Sequence, residues 1–272
     1  SPTETIWYDS VAQVCADHSI PFITPDDANA PNVVARIRAL APQFFFSFYY
    51  RKMLGADLLG IPTRGALNMH GSLLPKYRGR VPVNWAVLHG ERETGASLHY
   101  MEIKPDAGNL VAQTAVPILG DDTAFEVFQK VTVAAELTLA RALPQLIAGT
   151  APSVPLNLKA GSYFSGRKPE DGRIDWTRTA AEVNNLVRAV APPYPGAFAD
   201  LGSKRIIVAK ARVAAAEAMS SVPVAGQIAR TSNGSLGFVC GDGKLLIPLR
   251  LIVEDKTLDA SASQTWLATV KQ

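Results

Sequence analysis

Long apolar runs and excess charge of one sign are both scarce in this 272-residue sequence. No stretch approaches the roughly 18 consecutive apolar residues that a membrane-spanning helix requires, so we expect no membrane insertion. The first residues also lack the basic start and apolar centre of a signal peptide, and we therefore expect a cytoplasmic protein. The net charge is +3, which is too small to indicate a nucleic-acid partner.

Cysteine is nearly absent. The two that are present, Cys15 and Cys240, form neither a CxxC pair nor a metal-binding spacing. This pattern is typical of isolated buried thiols that pack as small hydrophobic side chains. Hydrophobic residues nevertheless make up 47% of the chain, which is enough for an ordinary globular core.

Strand and helix patterns alternate in the first half of the chain and predict an α/β fold with a Rossmann-like, mainly parallel sheet. Helical spacing predicts a helix from Thr5 to Ala16, and a short strand follows at Ile20–Ile23. Asp26 or Asn32 is then predicted to start a second helix. Further strands are predicted at Phe44–Tyr50, Leu67–His70 and Ala96–Ile103. The aromatic run among them is typical of a strand covered on both faces.

The longest predicted helix runs from Thr123 to Ile147. Thr123 and Glu126 have the spacing of a capping box at its start. Pro144 is expected to end or kink its final turn. The predicted core stripe consists of Phe125, Phe128, Val131, Ala135 and Leu139.

The pattern changes after residue 150, where residues 151–155 are predicted to form a linker. One amphipathic helix is predicted at Ala180–Val190. Short β-rich runs follow, separated by glycine turns, and predict a small barrel or sandwich; they are Ala197–Leu201, Arg205–Val213, Val224–Arg230, Leu236–Cys240 and Lys244–Val253. We therefore expect one domain at residues 1–165 and a second at 166–272.

Two polar side chains stand at the end of the strand predicted at Leu67–His70. Asn68 and His70 share one face of it, because side chains alternate along a strand. Ligands bind at the carboxyl ends of strands in open α/β sheets. An amide that can donate to an oxyanion beside an imidazole that can move protons suits acyl transfer. A purely structural histidine is the alternative interpretation.

A loop that contains Asp106 follows the next strand. A carboxylate there could orient His70 and keep it protonated, since a nearby negative charge raises a histidine pKa. Taken alone, Asp106 before Ala107-Gly108 is more typical of a turn.

Taken together, these segments resemble the folate-dependent formyltransferases. The resemblance rests on Asn68-Met-His70, on the Ser-Leu-Leu-Pro-Lys-Tyr-Arg-Gly run at 72–79, and on Asp106-Ala-Gly108. It extends through most of the chain and implies a formyltransferase fold followed by an OB-like β domain. The first strand–helix unit of the family has no counterpart here, so we expect an exposed sheet edge.

The resemblance implies a role for each site residue. Asn68 would stabilise the oxyanion, His70 would move protons, and Asp106 would raise the His70 pKa. The co-substrate would be 10-formyltetrahydrofolate, with no metal and no covalent nucleophile. The implied folate contacts are Lys52, Met53, Leu54, Arg80, Glu102, Ile103, Lys104, Pro105 and Asp106. Arg80 could lie on the folate side or the sugar-nucleotide side, since its donor fork suits carboxylate or phosphate.

The likeness is greatest to the branch that formylates UDP-4-amino-4-deoxy-L-arabinose for lipid A modification. Gly71 after the histidine, Tyr77 and Arg80 carry this comparison, whereas tRNA-formylating relatives usually have Ala, Trp and Ala there. The resemblance thus implies small-molecule partners, a sugar nucleotide and a folate. The sequence says nothing of the oligomeric state.

Three other interpretations stay open. Methionyl-tRNA formyltransferase shares the chemistry, although the C-terminal region has only a modest excess of Lys and Arg. A non-catalytic protein that binds nucleotide sugars is a second possibility. A metal hydrolase that uses His70, His99 and Asp106 is a third, but no HExxH-type spacing supports it and His99 is better explained as a structural residue.

Overall fold

The computed structural model describes residues 9–202, 204–216 and 224–270. The helices are α1 (Val11–Asp17), α2 (Pro31–Ala39), α3 (Ala56–Leu59), α4 (Pro82–Leu88), α5 (Ala124–Ala148), α6 (Ala180–Val190) and α7 (Ala260–Thr269). The strands are β1 (Phe45–Phe48), β2 (Ala66–His70), β3 (Arg78–Gly79), β4 (Glu93–Tyr100), β5 (Leu110–Pro117), β6 (Tyr163–Phe164), β7 (Ala197–Leu201), β8 (Lys204–Ala214), β9 (Ile228–Arg230), β10 (Leu236–Val239), β11 (Leu245–Val253) and β12 (Lys256–Leu258).

The N-terminal sheet has the order β1-β2-β4-β5, and α5 packs against β4 and β5. The predicted α/β class is confirmed. The sheet is mixed rather than mainly parallel, since β1 and β2 run parallel while β2–β4 and β4–β5 are antiparallel. The sequence analysis missed β5, which follows β4 after a short loop and turns back along it. The central strand β2 lies between β1 and β4, so the end of β2 is held by a neighbouring strand on each side.

The segment before this sheet differs from the prediction. Residues 20–23 form no strand. The helix expected from Thr5 begins at Val11, with Ser10 as its N-cap, and residues 5–8 of that prediction lie outside the described residues. The next helix starts at Pro31 with Ala30 at its N-cap, so neither Asp26 nor Asn32 caps it. Proline suits the first helical turn because its missing N–H would have no partner there.

The aromatic strand β1 is shorter than predicted and only partly covered. It ends at Phe48, and Tyr49 has a positive φ of 53°. Among the described strands β1 pairs with β2 alone, so it lies at an edge rather than inside the sheet. This position explains why Phe48, Tyr49 and Tyr50 are exposed.

Helix α5 begins with the predicted capping box, in which Thr123 and Glu126 bond each other's backbone N–H groups. Pro144 does not end it: the helix continues to Ala148, and Gly149 caps it in the left-handed conformation. The buried stripe is also rotated from the prediction, and it consists of Ala124, Val127, Val131, Ala134, Ala135, Thr138, Ala142 and Leu146. By length and composition alone α5 could cross a membrane, but these buried residues pack it as a core helix.

The C-terminal region is β-rich, as predicted. Strands β7-β8-β11-β10-β9 form an antiparallel sheet, and β12 pairs with β11. The predicted bounds of β7 and α6 are confirmed, whereas the strand expected from Val224 begins at Ile228, and α4, α7 and β12 were not anticipated. The finer OB-like description stays a prediction.

Both regions share one hydrophobic core, which extends in sequence from Leu67 to Leu267. The predicted linker is tied to this body, because the backbones of Val154 and Leu110 exchange two hydrogen bonds of 2.8 and 2.9 Å. Strand β6 crosses back to pair with β3. Gly79 is required at this crossing, since a Cβ there would lie 2.1 Å from the Phe164 carbonyl oxygen.

The capping box of α6 provides a test of local stability. Thr179 Oγ1 accepts from the Glu182 N–H at 3.2 Å, and Thr179 N donates to the Glu182 carboxylate at 3.0 Å. We expect Thr179→Ala to lower the free energy of unfolding by about 1 kcal/mol, since an N-cap hydroxyl is lost. Urea denaturation would measure it. Thr179→Ser is the matched control and should behave like the parent; an equal loss in both variants would show that the hydroxyl is not the cause.

Candidate active site

The site begins on β2, whose last residues carry the two predicted polar side chains. Asn68 and His70 lie two residues apart and so share a face of the strand. Strand β4 pairs with β2 in a register that places His99 directly opposite Asn68. Cross-strand neighbours of this kind are close enough to interact. The Asn68 side-chain nitrogen lies 3.3 Å from Nε2 of His99.

Asp106 reaches this face from the loop between β4 and β5. The loop closes tightly on the end of β4: a Cβ at Gly108 would lie 2.1 Å from the Tyr100 carbonyl oxygen, so only glycine fits. Asp106 itself has a φ of 49°, a left-handed conformation that Asp tolerates better than most residues. The geometry therefore fixes the direction in which this carboxylate points.

One carboxylate oxygen of Asp106 faces three side chains. Its Oδ1 atom lies 3.5 Å from Nδ2 of Asn68, 3.6 Å from Nδ1 of His70 and 3.5 Å from Nε2 of His99. The other oxygen, Oδ2, accepts the Gly79 N–H at 2.8 Å. The three residues singled out in the sequence thus converge, and β3 contributes a backbone donor to the same group.

The hydrogen bonds of the two histidines indicate their tautomers. Nε2 of His70 lies 2.8 Å from the Tyr77 carbonyl oxygen, so this nitrogen carries a proton. In the neutral ring Nδ1 then presents its lone pair toward Asp106. Nδ1 of His99 is 2.7 Å from the Tyr100 carbonyl oxygen and so carries a proton, while Nε2 of His99 faces both Asn68 and Asp106. These assignments follow from the acceptor-only character of carbonyl groups.

The pKa of His70 departs from the sequence-based expectation. Burial lowers the pKa of this imidazole, and the charge of Asp106 and the Tyr77 carbonyl raise it. Asp106 acts in the predicted direction, but burial outweighs it and the net pKa lies below the usual 6.5. His70 is therefore neutral near pH 7 rather than held protonated, and a neutral imidazole can accept a proton.

Asp106 is itself largely buried. Burial raises the pKa of its carboxyl, but the contacts with His99, His70 and the Gly79 N–H lower it by more. The net pKa lies below the usual value, so Asp106 is ionised. The site pairs a buried anion with a neutral imidazole that could share its charge once protonated.

Several predicted folate contacts lie around an open cleft of about 420 Å³ beside this group. Glu102, Ile103 and Lys104 form one wall together with Met101, and Ala56 and Leu59 form the other. Pro105 and Asp106 continue the same loop toward the polar cluster. The cleft is open to solvent and borders the first residues of the loop that carries Asp106.

Lys52, Met53 and Leu54 do not line this cleft, although they immediately precede the residues of its second wall. The Met53 carbonyl accepts from the Asn29 amide at 3.0 Å, and the Lys52 ammonium donates to the Asp26 carbonyl. Arg80 also lies outside the cleft. It is exposed, and its side chain packs over the Cα of Gly166.

The metal-site interpretation fits this geometry less well. His70, His99 and Asp106 do meet, but within the described ranges no group of three or more His, Cys, Asp or Glu is arranged to hold a metal ion. One ring nitrogen of each histidine already bonds a backbone carbonyl. The facing nitrogens are directed at Asp106 and Asn68.

His99 is the site residue that the sequence analysis set aside. Its position in an apolar strand favoured a structural role, and only the β2–β4 register reveals that it faces Asn68. The Tyr77 carbonyl and the Gly79 N–H were likewise missed, because backbone groups leave no signature in the residue types. Only the family resemblance of the Tyr-Arg-Gly run at 77–79 could have indicated that these two backbone groups belong to the site.

The titration of His70 can be measured directly. Asp106→Asn removes the negative charge that raises the His70 pKa, so we expect the His70 midpoint to fall still further below 6.5. Nuclear magnetic resonance of the imidazole signals would follow it. A His70 midpoint that rises in this variant would show that Asp106 does not act through its charge.

Known proteins provide a comparison with this arrangement. Residues 6–143 match the formyl transferase family, and residues 167–265 match the formyl transferase C-terminal domain. An N-formyltransferase from Helicobacter canadensis, solved with folinic acid and dTDP-3-aminofucose, is similar in structure with a TM-score of 0.64. It is 20% identical, and the match covers 90% of this chain and 84% of that one.

Two further solved structures share the fold. A sugar N-formyltransferase from a Shewanella species has a TM-score of 0.61 and 18% identity, over 73% of this chain and 78% of its own. A variant of HypX from Aquifex aeolicus has a TM-score of 0.60 and 19% identity, over 89% of this chain but only 42% of its own. The N-terminal family match alone spans half of the sequence, and the chain therefore belongs to the formyl transferase family.

Proposed function

We propose that this protein transfers the formyl group of 10-formyltetrahydrofolate to the amine of a sugar nucleotide. The proposal rests on the convergence of three side chains at the end of β2. Nitrogen atoms of Asn68 and His70 both lie within 3.6 Å of Oδ1 of Asp106. The solved N-formyltransferase from Helicobacter canadensis, with its folate and amino-sugar nucleotide, supports the same pairing of substrates.

The proposed reaction is a direct acyl transfer. The neutral amine attacks the formyl carbon, the carbonyl electrons move to its oxygen, and a tetrahedral intermediate forms. The amine loses a proton to Nδ1 of His70. The oxyanion then re-forms the carbonyl as the bond between the folate nitrogen and the formyl carbon breaks. The protonated His70 returns its proton to that nitrogen, so tetrahydrofolate leaves and the acceptor amine carries the formyl group.

Each side chain has a role that its contacts support. Asn68 presents an amide N–H pair whose present contacts, 3.3 and 3.5 Å, are long enough to be exchanged for a bond to the oxyanion. His70 keeps its lone pair free at Nδ1, because its other nitrogen bonds Tyr77. Asp106 stabilises the imidazolium that forms, and the Gly79 N–H holds that carboxylate in place.

We place the folate in the cleft beside the Asp106 loop. Glu102, Ile103 and Lys104 would contact it from one side. Pro105 and Asp106, farther along the same loop, would also contact it. Lys52, Met53 and Leu54 lie outside the cleft wall, just before α3, and would contact the co-substrate through their backbone. Arg80, which lies outside the cleft beside Gly166, would bind a carboxylate of the folate or a phosphate of the sugar nucleotide, since its rigid donor fork suits either.

For the acceptor we propose UDP-4-amino-4-deoxy-L-arabinose. Support comes from the resemblance at Gly71, Tyr77 and Arg80, the positions at which tRNA-formylating relatives usually differ. A domain boundary near residue 165 and a cytoplasmic location are parts of the same proposal.

A substrate panel tests the proposal. The full chain would be mixed with 10-formyltetrahydrofolate and each of several amino-sugar nucleotides, and release of tetrahydrofolate would be followed. We expect turnover with UDP-4-amino-4-deoxy-L-arabinose. Formylation of charged initiator tRNA instead would refute the sugar acceptor, and binding without any turnover would refute the catalytic assignment.

Substitutions at the site give the second test. Asn68→Ala should lower turnover by about 10²–10³-fold if its amide stabilises the oxyanion, and His70→Gln should be nearly inactive. His18→Gln, on an exposed helix end, is the matched control and should keep the parental rate. An unchanged rate in His70→Gln would remove that residue from the mechanism.

A further inference from the structure

A second polar feature lies on β3, between the two backbone groups that hold the site. The Tyr77 carbonyl accepts from His70, and the Gly79 N–H donates to Asp106. Arg78 is the residue between them. The backbone of Arg78 therefore lies beside the reacting groups.

Arg78 is buried without a compensating charge. Its side chain is 8% exposed, its guanidinium lies 5.9 Å from the centre of the Tyr163 ring, and its Nε has no hydrogen-bond partner. In the described part of the chain no carboxylate forms an ion pair with it. Burial of an unpaired charge is costly, which indicates that an anion is its missing partner.

Arg167 repeats this pattern on the segment that β3 contacts. Its guanidinium stacks over Trp85 at 4.8 Å, and one terminal nitrogen donates to the Asp171 carbonyl at 2.8 Å. Its Nε is also buried without a partner, and burial lowers the pKa of this guanidinium. It forms no ion pair within the described ranges, although the charge of the nearby Asp171 acts to raise its pKa.

Three exposed arginines of this protein are neutralised. Arg173, Arg178 and Arg205 all form ion pairs with nearby carboxylates although they are exposed. Arg78 and Arg167 form no such ion pair within the described residues, and each has a buried Nε without a hydrogen-bond partner, a feature that they share with Arg188 of α6. Pairing of β3 with β6, in the register Arg78 with Tyr163, brings the segments of Arg78 and Arg167 together. Two guanidinium groups on adjoining segments suit a ligand with more than one negative charge.

We propose that Arg78 and Arg167 bind the diphosphate of the sugar-nucleotide acceptor. This inference rests on the proposed function, because an amine at His70 leaves the diphosphate one sugar ring away, on the side of β3. Guanidinium groups bind phosphate oxygens through paired, charge-assisted hydrogen bonds. The stacked ring of Trp85 keeps the Arg167 guanidinium in position before the ligand arrives.

Binding can be tested apart from catalysis. Calorimetric titration of the full chain with UDP, dTDP and inorganic pyrophosphate would measure affinity with no formyl donor present. We expect Arg167→Gln to weaken UDP and dTDP binding by about tenfold or more, since a charged hydrogen-bond partner is lost. Arg212→Gln, an exposed arginine of β8, is the matched control and should bind like the parent.

Arg78→Met distinguishes a binding role from a structural one. Methionine keeps most of the apolar stem and removes the unpaired charge, so the ligand-free variant should have an unchanged or higher Tm while its affinity for UDP and dTDP falls. A variant that instead loses stability and keeps its affinity would show that Arg78 supports the fold and not the ligand.

Steady-state kinetics separate the acceptor from the folate. We expect Arg167→Gln to raise the Michaelis constant for the sugar nucleotide by about tenfold and to leave that for the formyl donor unchanged. A rise confined to the formyl donor, or diphosphate affinity unaffected in both variants, would overturn the inference. The two proposals can fail separately. If the protein formylates no sugar but its variants still lose affinity for the diphosphate, the proposed function is refuted and the diphosphate site stands.

Discussion

The candidate site depends on the position of one carboxylate. Asp106 contacts Asn68, His70 and His99 through one oxygen and the Gly79 N–H through the other. It thereby joins β2, β4, the loop after β4 and the short strand β3. A shift of this carboxylate by about one ångström would break contacts with all of these elements. The contacts with the three side chains are already at the outer limit of hydrogen-bond distance, and the contact with β3 is a single hydrogen bond from one backbone N–H.

Burial and charge act in opposite directions on this group. Burial favours the neutral forms of both His70 and Asp106, whereas their mutual attraction favours the charged forms. Burial prevails at the imidazole, and the several contacts of Asp106 prevail at the carboxyl. The result is an anion beside an uncharged base, an arrangement in which a proton taken from an attacking amine is stabilised as soon as it arrives.

The small β3–β6 ladder connects this chemistry with the C-terminal half. Residues 77–79 contribute a carbonyl to His70 and an N–H to Asp106, and β6 precedes the segment that carries Arg167. Tyr77, Trp85 and Phe164 stack around it. A rigid aromatic packing of this kind fixes the backbone donors and acceptors, and in our proposal it also fixes the arginines that bind the acceptor.

From the sequence one can predict the α/β and β-rich halves of the chain, the capping box of α5, the bounds of α6 and the candidate site residues Asn68, His70 and Asp106. These features are local: a helix cap, a strand alternation or a motif is written within a few neighbouring residues. Tertiary structure decided the antiparallel course of β4 and β5, the continuation of α5 past Pro144, the opposition of His99 to Asn68 and the neutral state of His70. Each of these depends on strand register or on burial by distant parts of the chain, and neither quantity can be read from the residues adjacent to the position concerned.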